Sequence, residues 1–289
     1  MSDSIDLITL EQILPLFPAR DPLANKGSYG RALLICGSYG MAGAAAIAAE
    51  GCVKSGVGLC EVLCPESIYP ILAPIVREAV YTPVHAYDPK TIGDALSRAD
   101  AVALGCGLGA TAQTAGLLQQ VLEQCNVPLV IDADGLNCLS ANIEWLQQSS
   151  CPVILTPHPG EMARLCGCDI PTVQQHRISV ATQLATCYHV TVVLKGHDTL
   201  IACPNGAIWV NPTGNPGMAT GGSGDLLCGM IAAFLAQGMP PTDAAKAGVY
   251  LHGLAGDLCA AEYSQISTTP TGMLQVLPRI FREIENKNQ

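Results

Sequence analysis

The feature that most constrains this chain is a regular alternation of short apolar runs, rich in β-formers, with longer stretches rich in Ala and Leu. Residues 31–36, 59–63, 100–104, 127–131, 153–155 and 190–195 read as strands, each apolar for most of its length. A strand buried on both faces loses the polar alternation of a surface strand, which is the mark of a parallel sheet. Between the strands, residues 41–54, 67–76, 111–124, 136–148 and 171–186 carry helical character. Residues 224–237 and 241–262 are long helix candidates, and an amphipathic segment near 277–284 closes the chain. Residues 199–202 and 207–210 flank Pro204-Asn205-Gly206 as a hairpin. Strands separated by helices imply right-handed βαβ units, and so an α/β fold with a mainly parallel central sheet covered on both faces. No linker, repeat or low-complexity stretch interrupts residues 1–289, and a single domain is the simplest reading.

Composition narrows the functions such a sheet can serve. A hydrophobic fraction of 49% with 13% charged residues describes a large core and excludes disorder. The formal charge is −10, and the 14 basic residues are scattered, which argues against nucleic acid as a partner. No apolar run reaches the 18 or so residues of a membrane span. Fourteen cysteines in a long chain that opens Met-Ser-Asp-Ser-Ile-Asp, without a signal core, fit a reduced cytoplasmic protein better than a disulfide scaffold. Most lie in apolar runs (Cys36, Cys60, Cys151, Cys187), where Cys behaves as a small hydrophobe. Cys166-Gly-Cys168 has no second pair at zinc spacing, so no metal ligand is assigned.

The sharpest motif is Asn211-Pro-Thr-Gly-Asn-Pro-Gly-Met-Ala-Thr-Gly-Gly-Ser-Gly-Asp225, running straight into an apolar helix. Glycines at a helix start leave backbone N–H groups free and aimed at one spot, where the helix dipole adds positive charge. Gly222, Ser223 and Gly224 are therefore placed as a cradle for phosphate or for a phosphoryl group in flight. Asp225 has two readings, a helix cap or a base for a hydroxyl near that phosphate. Leu194-Lys-Gly-His-Asp-Thr199 follows a strand. Lys195 suits a phosphate or a structural carboxylate, while His197 and Thr199 are of a type that binds ribose or base. Thr156-Pro-His-Pro-Gly-Glu161 holds His158 between two prolines beyond a strand's carboxyl end, as a structural histidine or a ligand contact. Asp132-Ala-Asp134 suits magnesium through its water shell or a substrate hydroxyl, and Asp134 equally suits a helix cap. Leu104-Gly-Cys-Gly-Leu-Gly109 and the Gly37–Ala46 turn bring backbone close to a ligand. Neither has Rossmann or hydrolase-elbow spacing, and no Walker A sequence occurs.

Taken in this order, with Lys26-Gly-Ser-Tyr-Gly30, these segments resemble the ADP- or ATP-dependent NAD(P)H-hydrate dehydratases, a branch of the ribokinase-like fold. The resemblance runs from about residue 10 to 260. It implies repair of NADH or NADPH hydrated at C6: the S epimer's hydroxyl receives a phosphoryl group from ADP or ATP, with Mg2+, and phosphate then leaves. By position, Asp225 would be the base, with Gly222, Ser223 and Gly224 as anion hole. Ala44, Gly107, His158, Asp225 and Asn137 would meet the hydrate. Lys195, Gly196, His197, Asp198, Thr199 and Gly224 would hold the nucleotide. The resemblance also implies a homo-oligomer. An N-terminal epimerase domain, common in the family, does not precede the first expected strand, which places that activity on another chain. Two departures stand out: Asn25-Lys26-Gly27 replaces the usual His-Lys-Gly, and Pro270-Thr-Gly-Met-Leu-Gln275 replaces an Ala-x-Asp-Leu segment. The rival readings are a ribokinase-like kinase of a thiazole, pyrimidine or pyridoxine alcohol, and a nucleotide sensor without chemistry.

Overall fold

A computed structural model describes residues 5–288. The strands are β1 Ile5–Leu7, β2 Arg31–Ile35, β3 Leu59–Pro65, β4 Val80–Val84, β5 Ala101–Leu104, β6 Leu129–Ile131, β7 Val153–Leu155, β8 Thr191–Leu194, β9 Leu200–Ala202 and β10 Ile208–Val210. The helices are α1 Leu10–Ile13, α2 Ala42–Lys54, α3 Tyr69–Ile75, α4 Pro89–Leu96, α5 Ala112–Gln124, α6 Ala133–Leu139, α7 Pro159–Cys166, α8 Ile170–Gln175, α9 Arg177–Tyr188, α10 Ser223–Ala236, α11 Pro241–Glu262 and α12 Pro270–Lys287. All strands join one sheet in the order β1-β10-β9-β8-β7-β6-β5-β2-β3-β4. Its centre, from β8 through β4, is parallel, and β9 pairs antiparallel with both β8 and β10.

Side chains alternate across this sheet and feed two cores. Ala32 and Leu34 of β2 face a layer built with α2, α10, α11 and α12. Leu33 and Ile35 face the layer that carries α4, α5, α6, α7 and α9. The expected mainly parallel sheet with helices on both faces is what forms, with the 199–210 hairpin as its antiparallel margin. Some expected elements differ. Residues 171–186 divide into α8 and α9 around His176, and residues 136–148 into α6 and a 3₁₀ turn at Ile143–Gln148. β1, β4, α4 and α7 were not expected. β1 is three exposed residues beside β10, too short and too wet to carry a pattern. The strand order reverses between β5 and β2, so the crevice beyond their carboxyl ends is where such sheets bind ligands.

One helix crossing fixes the upper edge of that crevice. α2 and α10 pack through small residues so closely that a Cβ on Gly229 would lie 2.0 Å from the Ala48 carbonyl oxygen. On Gly51 it would lie 2.7 Å from Leu226 Cδ1. The Ala- and Gly-rich α2 therefore presents a backbone-to-backbone contact surface to α10. Gly229→Ala forces the two backbones apart, because a carbonyl cannot yield as a side chain does. Its expected cost is about 2 to 3 kcal/mol of stability, measured by urea denaturation.

Candidate functional site

Three neighbouring strands deliver three charged residues to one place. Asp132 follows β6, Glu161 lies in the first turn of α7 after β7, and Lys195 follows β8. Lys195 Nζ donates to Asp132 Oδ1 at 2.7 Å and stands 3.9 Å from Glu161 Oε2. The Lys195 backbone N–H also donates to the Pro157 carbonyl at 2.8 Å, tying the second and third loops together. Asp132 is 1% exposed. Burial alone would pull the Lys195 ammonium's pKa down, but the charges of Asp132 and Glu161 outweigh it and hold the pKa above the usual range. Glu161 shows the opposite balance: burial pushes its carboxyl up to about 7, with Lys195 only partly compensating.

Directly above this pair, the glycine-rich loop enters α10. Gly222 is the N-cap residue at φ 91°, a left-handed conformation suited to glycine, and a Cβ there would lie 2.7 Å from Ile47 Cδ1. A Cβ on Gly224 would meet Lys195 Nζ at 3.1 Å and Asp132 Oδ2 at 3.4 Å. The cation thus lies against the turn whose N–H groups open the helix. Leu226 N–H donates to the Gly222 carbonyl at 3.0 Å, so the N–H groups of Ser223, Gly224 and Asp225 precede the first bond of the α-helical ladder. The helix has no side-chain N-cap bond, and Asp225 sits within its first turn instead of before it. The helix-cap reading of Asp225 is thereby set aside. Burial raises its carboxyl above the ordinary range and the Asp132 charge adds to this, while the Cys106 thiol and Lys195 work the other way.

These groups line a cavity of about 590 Å³ that also takes in His158, residues 196–199 and the 211–219 loop. His158 is the N-cap of α7. Its Nδ1 accepts from the Gly160 and Glu161 N–H groups at 3.0 and 3.3 Å, and its own N–H donates to Glu161 Oε2 at 2.7 Å. It is both a structural cap and a half-exposed wall of the cavity. Arg177 grips the 195–199 turn from behind, donating to the Leu194 carbonyl at 3.0 Å, and Thr199 Oγ1 closes it on the Gly196 carbonyl at 3.0 Å. His197 and Asp198 are exposed and pair with each other at 3.0 Å.

Ala44 and Gly107 stand outside this cavity but touch each other: a Cβ on Gly107 would lie 2.8 Å from Ala44 Cβ. Cys106, next in chain to Gly107, points its thiol at Asp132 Oδ2, 4.0 Å away, and so joins this second patch to the wall of the cavity. Asn137 is more distant, accepting from Arg164 Nε at 3.0 Å and contacting Asp134. Asp134 is not the cap of the following helix. It lies inside α6 and accepts the Gly109 N–H at 2.7 Å, so it holds the Gly105–Gly109 turn. Of the departing segments, Asn25 caps a 3₁₀ turn by accepting the Gly27 N–H at 2.8 Å, and Pro270 opens α12 and packs against Gly222. All fourteen cysteines are free, and Cys187 is exposed, contrary to its expected burial, because it lies on the outer face of α9. Cys106, Asp132 and Cys228 approach within 4.8 Å of one another, with Asp132 already engaged by Lys195. Among the described residues no helix is long and apolar enough to cross a membrane.

Sequence reasoning missed the support behind these loops. Asp257 on α11 accepts from Gly214 N–H and Asn215 Nδ2, both at 2.9 Å, and so clamps the 211–217 loop. His252, also on α11, reaches the Ser223 carbonyl at 2.9 Å. Neither has a local sequence signal, since each is one of several polar residues along α11 with no motif around it. The Lys195–Asp132 pairing was open in the motif as a structural carboxylate without a named partner.

A family profile described as NAD(P)H-hydrate dehydratase matches residues 32–279. The ADP-dependent (S)-NAD(P)H-hydrate dehydratase of Bacillus subtilis is 36% identical over 279 residues, covering 96% of this chain and 98% of that one. The bifunctional NAD(P)H-hydrate repair enzyme of Moorella thermoacetica is 39% identical over 289 residues, 97% of this chain and 54% of the relative. The chain spans about half the length of the bifunctional relatives it matches. The crystal structure of the ADP/ATP-dependent NAD(P)H-hydrate dehydratase from B. subtilis, co-crystallised with ATP/Mg2+, superposes with a TM-score of 0.87. It is 34% identical, over 97% of this chain and 99% of that one. By sequence and by its ribokinase-like architecture, the chain belongs to the NAD(P)H-hydrate dehydratase family.

Proposed function

We propose that this chain dehydrates the S epimer of hydrated NADH or NADPH at the expense of ADP or ATP. The observation that carries this reading is Asp225, half-buried with a raised pKa, at a helix N-terminus whose glycine turn rests on the Lys195 ammonium. Hydroxide leaves carbon poorly and phosphate leaves well. In the first step the C6 hydroxyl oxygen attacks the terminal phosphorus, Asp225 takes the hydroxyl proton, and the bond from phosphorus to the nucleotide breaks. In the second, the C6–O bond breaks with loss of a proton from C5, which restores the ring double bond and frees inorganic phosphate. The N–H groups of the 222–225 turn, the helix dipole and Lys195 take up the negative charge on the moving phosphoryl group. Residues 195–199 hold adenine and ribose, and Ala44, Gly107 and His158 hold the hydrate, with Asn137 at its outer edge.

Asp132 and Glu161 line the same cavity as Asp225 and offer the hard oxygen donors that suit Mg2+ through bound water. When bound, the ion would neutralise phosphate charge. The fourteen free cysteines fit a reducing cytoplasm, and a homo-oligomer is expected, to be checked by light scattering.

The deciding measurement is absorbance at the dihydronicotinamide band. Purified protein with Mg2+ should restore it from hydrated NADH when ADP or ATP is added, and parallel runs identify the preferred donor. No recovery with either nucleotide, together with phosphorylation of a thiazole, pyrimidine or pyridoxine alcohol, would establish the kinase reading instead. Asp225→Asn should keep nucleotide binding and lose turnover by about 10²-fold or more, the scale of a missing general base. Wild-type turnover in that variant would remove Asp225 from the mechanism. Lys195→Met strands the buried Asp132 carboxylate. It should cost about 3 to 5 kcal/mol in chemical denaturation, and Asp132→Asn in the same background should recover part of that loss.

A further inference from the structure

We infer that His252 is a positioning residue for the anion hole, acting through the Ser223–Gly224 peptide. This rests on the phosphoryl-transfer reading of the site. His252 lies mid-way along α11 and is 7% exposed. Its Nε2 stands 2.9 Å from the Ser223 carbonyl oxygen and 3.3 Å from Ser223 Oγ. A carbonyl oxygen only accepts, so Nε2 carries the proton and donates it there. Burial pushes the imidazole pKa down to about 4, with the nearby Lys195 charge acting in the same direction, so the ring is neutral through the physiological range.

The Ser223 carbonyl and the Gly224 N–H belong to one planar trans peptide and point in opposite directions. A donor that holds the carbonyl therefore aims the N–H. It also polarises the peptide, which strengthens that N–H as a donor to an anion. The turn needs such a hold, because no side chain caps the helix and two of its three residues are glycines. Gly222 is wedged from one side by Ile47 and Pro270, and Gly224 lies over Lys195. His252 supplies the missing grip from the third side, through α11.

The test separates aim from packing. His252→Leu keeps volume and removes the donor, and His252→Asn keeps polarity while its shorter amide stops short of the carbonyl. His252→Gln carries an amide N–H close to the position of Nε2. Turnover of hydrated NADH should fall about 10- to 100-fold in the Leu and Asn variants, with KM for the hydrate changed less than about threefold. The Gln variant should return to within about threefold of wild type on the same scale. A second readout needs no hydrate: affinity for orthovanadate in the presence of ADP, by calorimetry, should fall about tenfold in the Leu and Asn variants and recover with Gln. Unchanged turnover and vanadate affinity in the Leu and Asn variants would overturn the inference. So would a Gln variant as impaired as they are, or a wild-type protein that binds no vanadate. If the wild-type protein restores no NADH but vanadate affinity still follows this pattern, the dehydratase reading fails and the role of His252 stands.

Discussion

The site depends on one ion pair. Lys195 and Asp132 are carried on loops two strands apart, and β7 between them supplies the Pro157 carbonyl that fixes the lysine backbone. Burying two charges costs more than their attraction alone returns unless other bonds satisfy them. Here the pair lines the cavity that, in the proposed function, accepts anionic phosphate, in a chain of net charge −10. Four carboxylates, Asp132, Glu161, Asp198 and Asp225, line that cavity. Without Lys195 they would repel any phosphate that approached. With it, the field at the glycine turn is set by an ammonium 3.1 Å from the place a Gly224 side chain would occupy and by the N-terminus of α10.

The same pair divides the acids by role. Asp132 Oδ1 accepts from Lys195 Nζ, and the charge of Asp132 acts on both Glu161 and Asp225. Glu161 is less well compensated, and burial holds its carboxyl up to about 7 while it also closes the cap of α7. Asp225 is raised by burial and by the standing charge of Asp132, which makes it a stronger base than a solvated aspartate without neutralising it through a lysine of its own. In the proposed mechanism, neighbouring carboxylates in unlike surroundings give one pocket a fixed charge and a base together.

How much of this the sequence revealed follows the range of each interaction. The ends of α11, Pro241 and Glu262, are legible in the sequence, because a Pro at the first turn and a long helical pattern are local signals. α4 has an equally local one, Asp88 accepting from the Lys90 and Thr91 N–H groups around Pro89. β1 had none. In the site, the cradle at 222–224, Lys195 and His158 were legible because each is a short motif at a strand or helix end. Which carboxylate Lys195 would take was not, since Asp132 is 63 residues away and the choice follows from strand order. His252 and Asp257 were invisible for the same reason. Their partners are set by how α11 lies against α10 and the 211–217 loop, and no spacing along the chain encodes that.

That packing also explains why the glycine turn works as a precise device and not as a loose loop. Gly222, Ser223 and Gly224 by themselves have wide conformational freedom, and an anion hole that wanders by 1 Å loses most of its effect. The turn is held by bodies on different sides. α2 reaches it through Ile47, and its own position is fixed by the Gly229–Ala48 backbone contact. α12 reaches it through Pro270, and the sheet reaches it through Lys195. Pro270, the first residue of the segment that departs from the family pattern, is therefore one wall of the cradle. A substitution at Pro270 alters the packing of Gly222, the N-cap of α10.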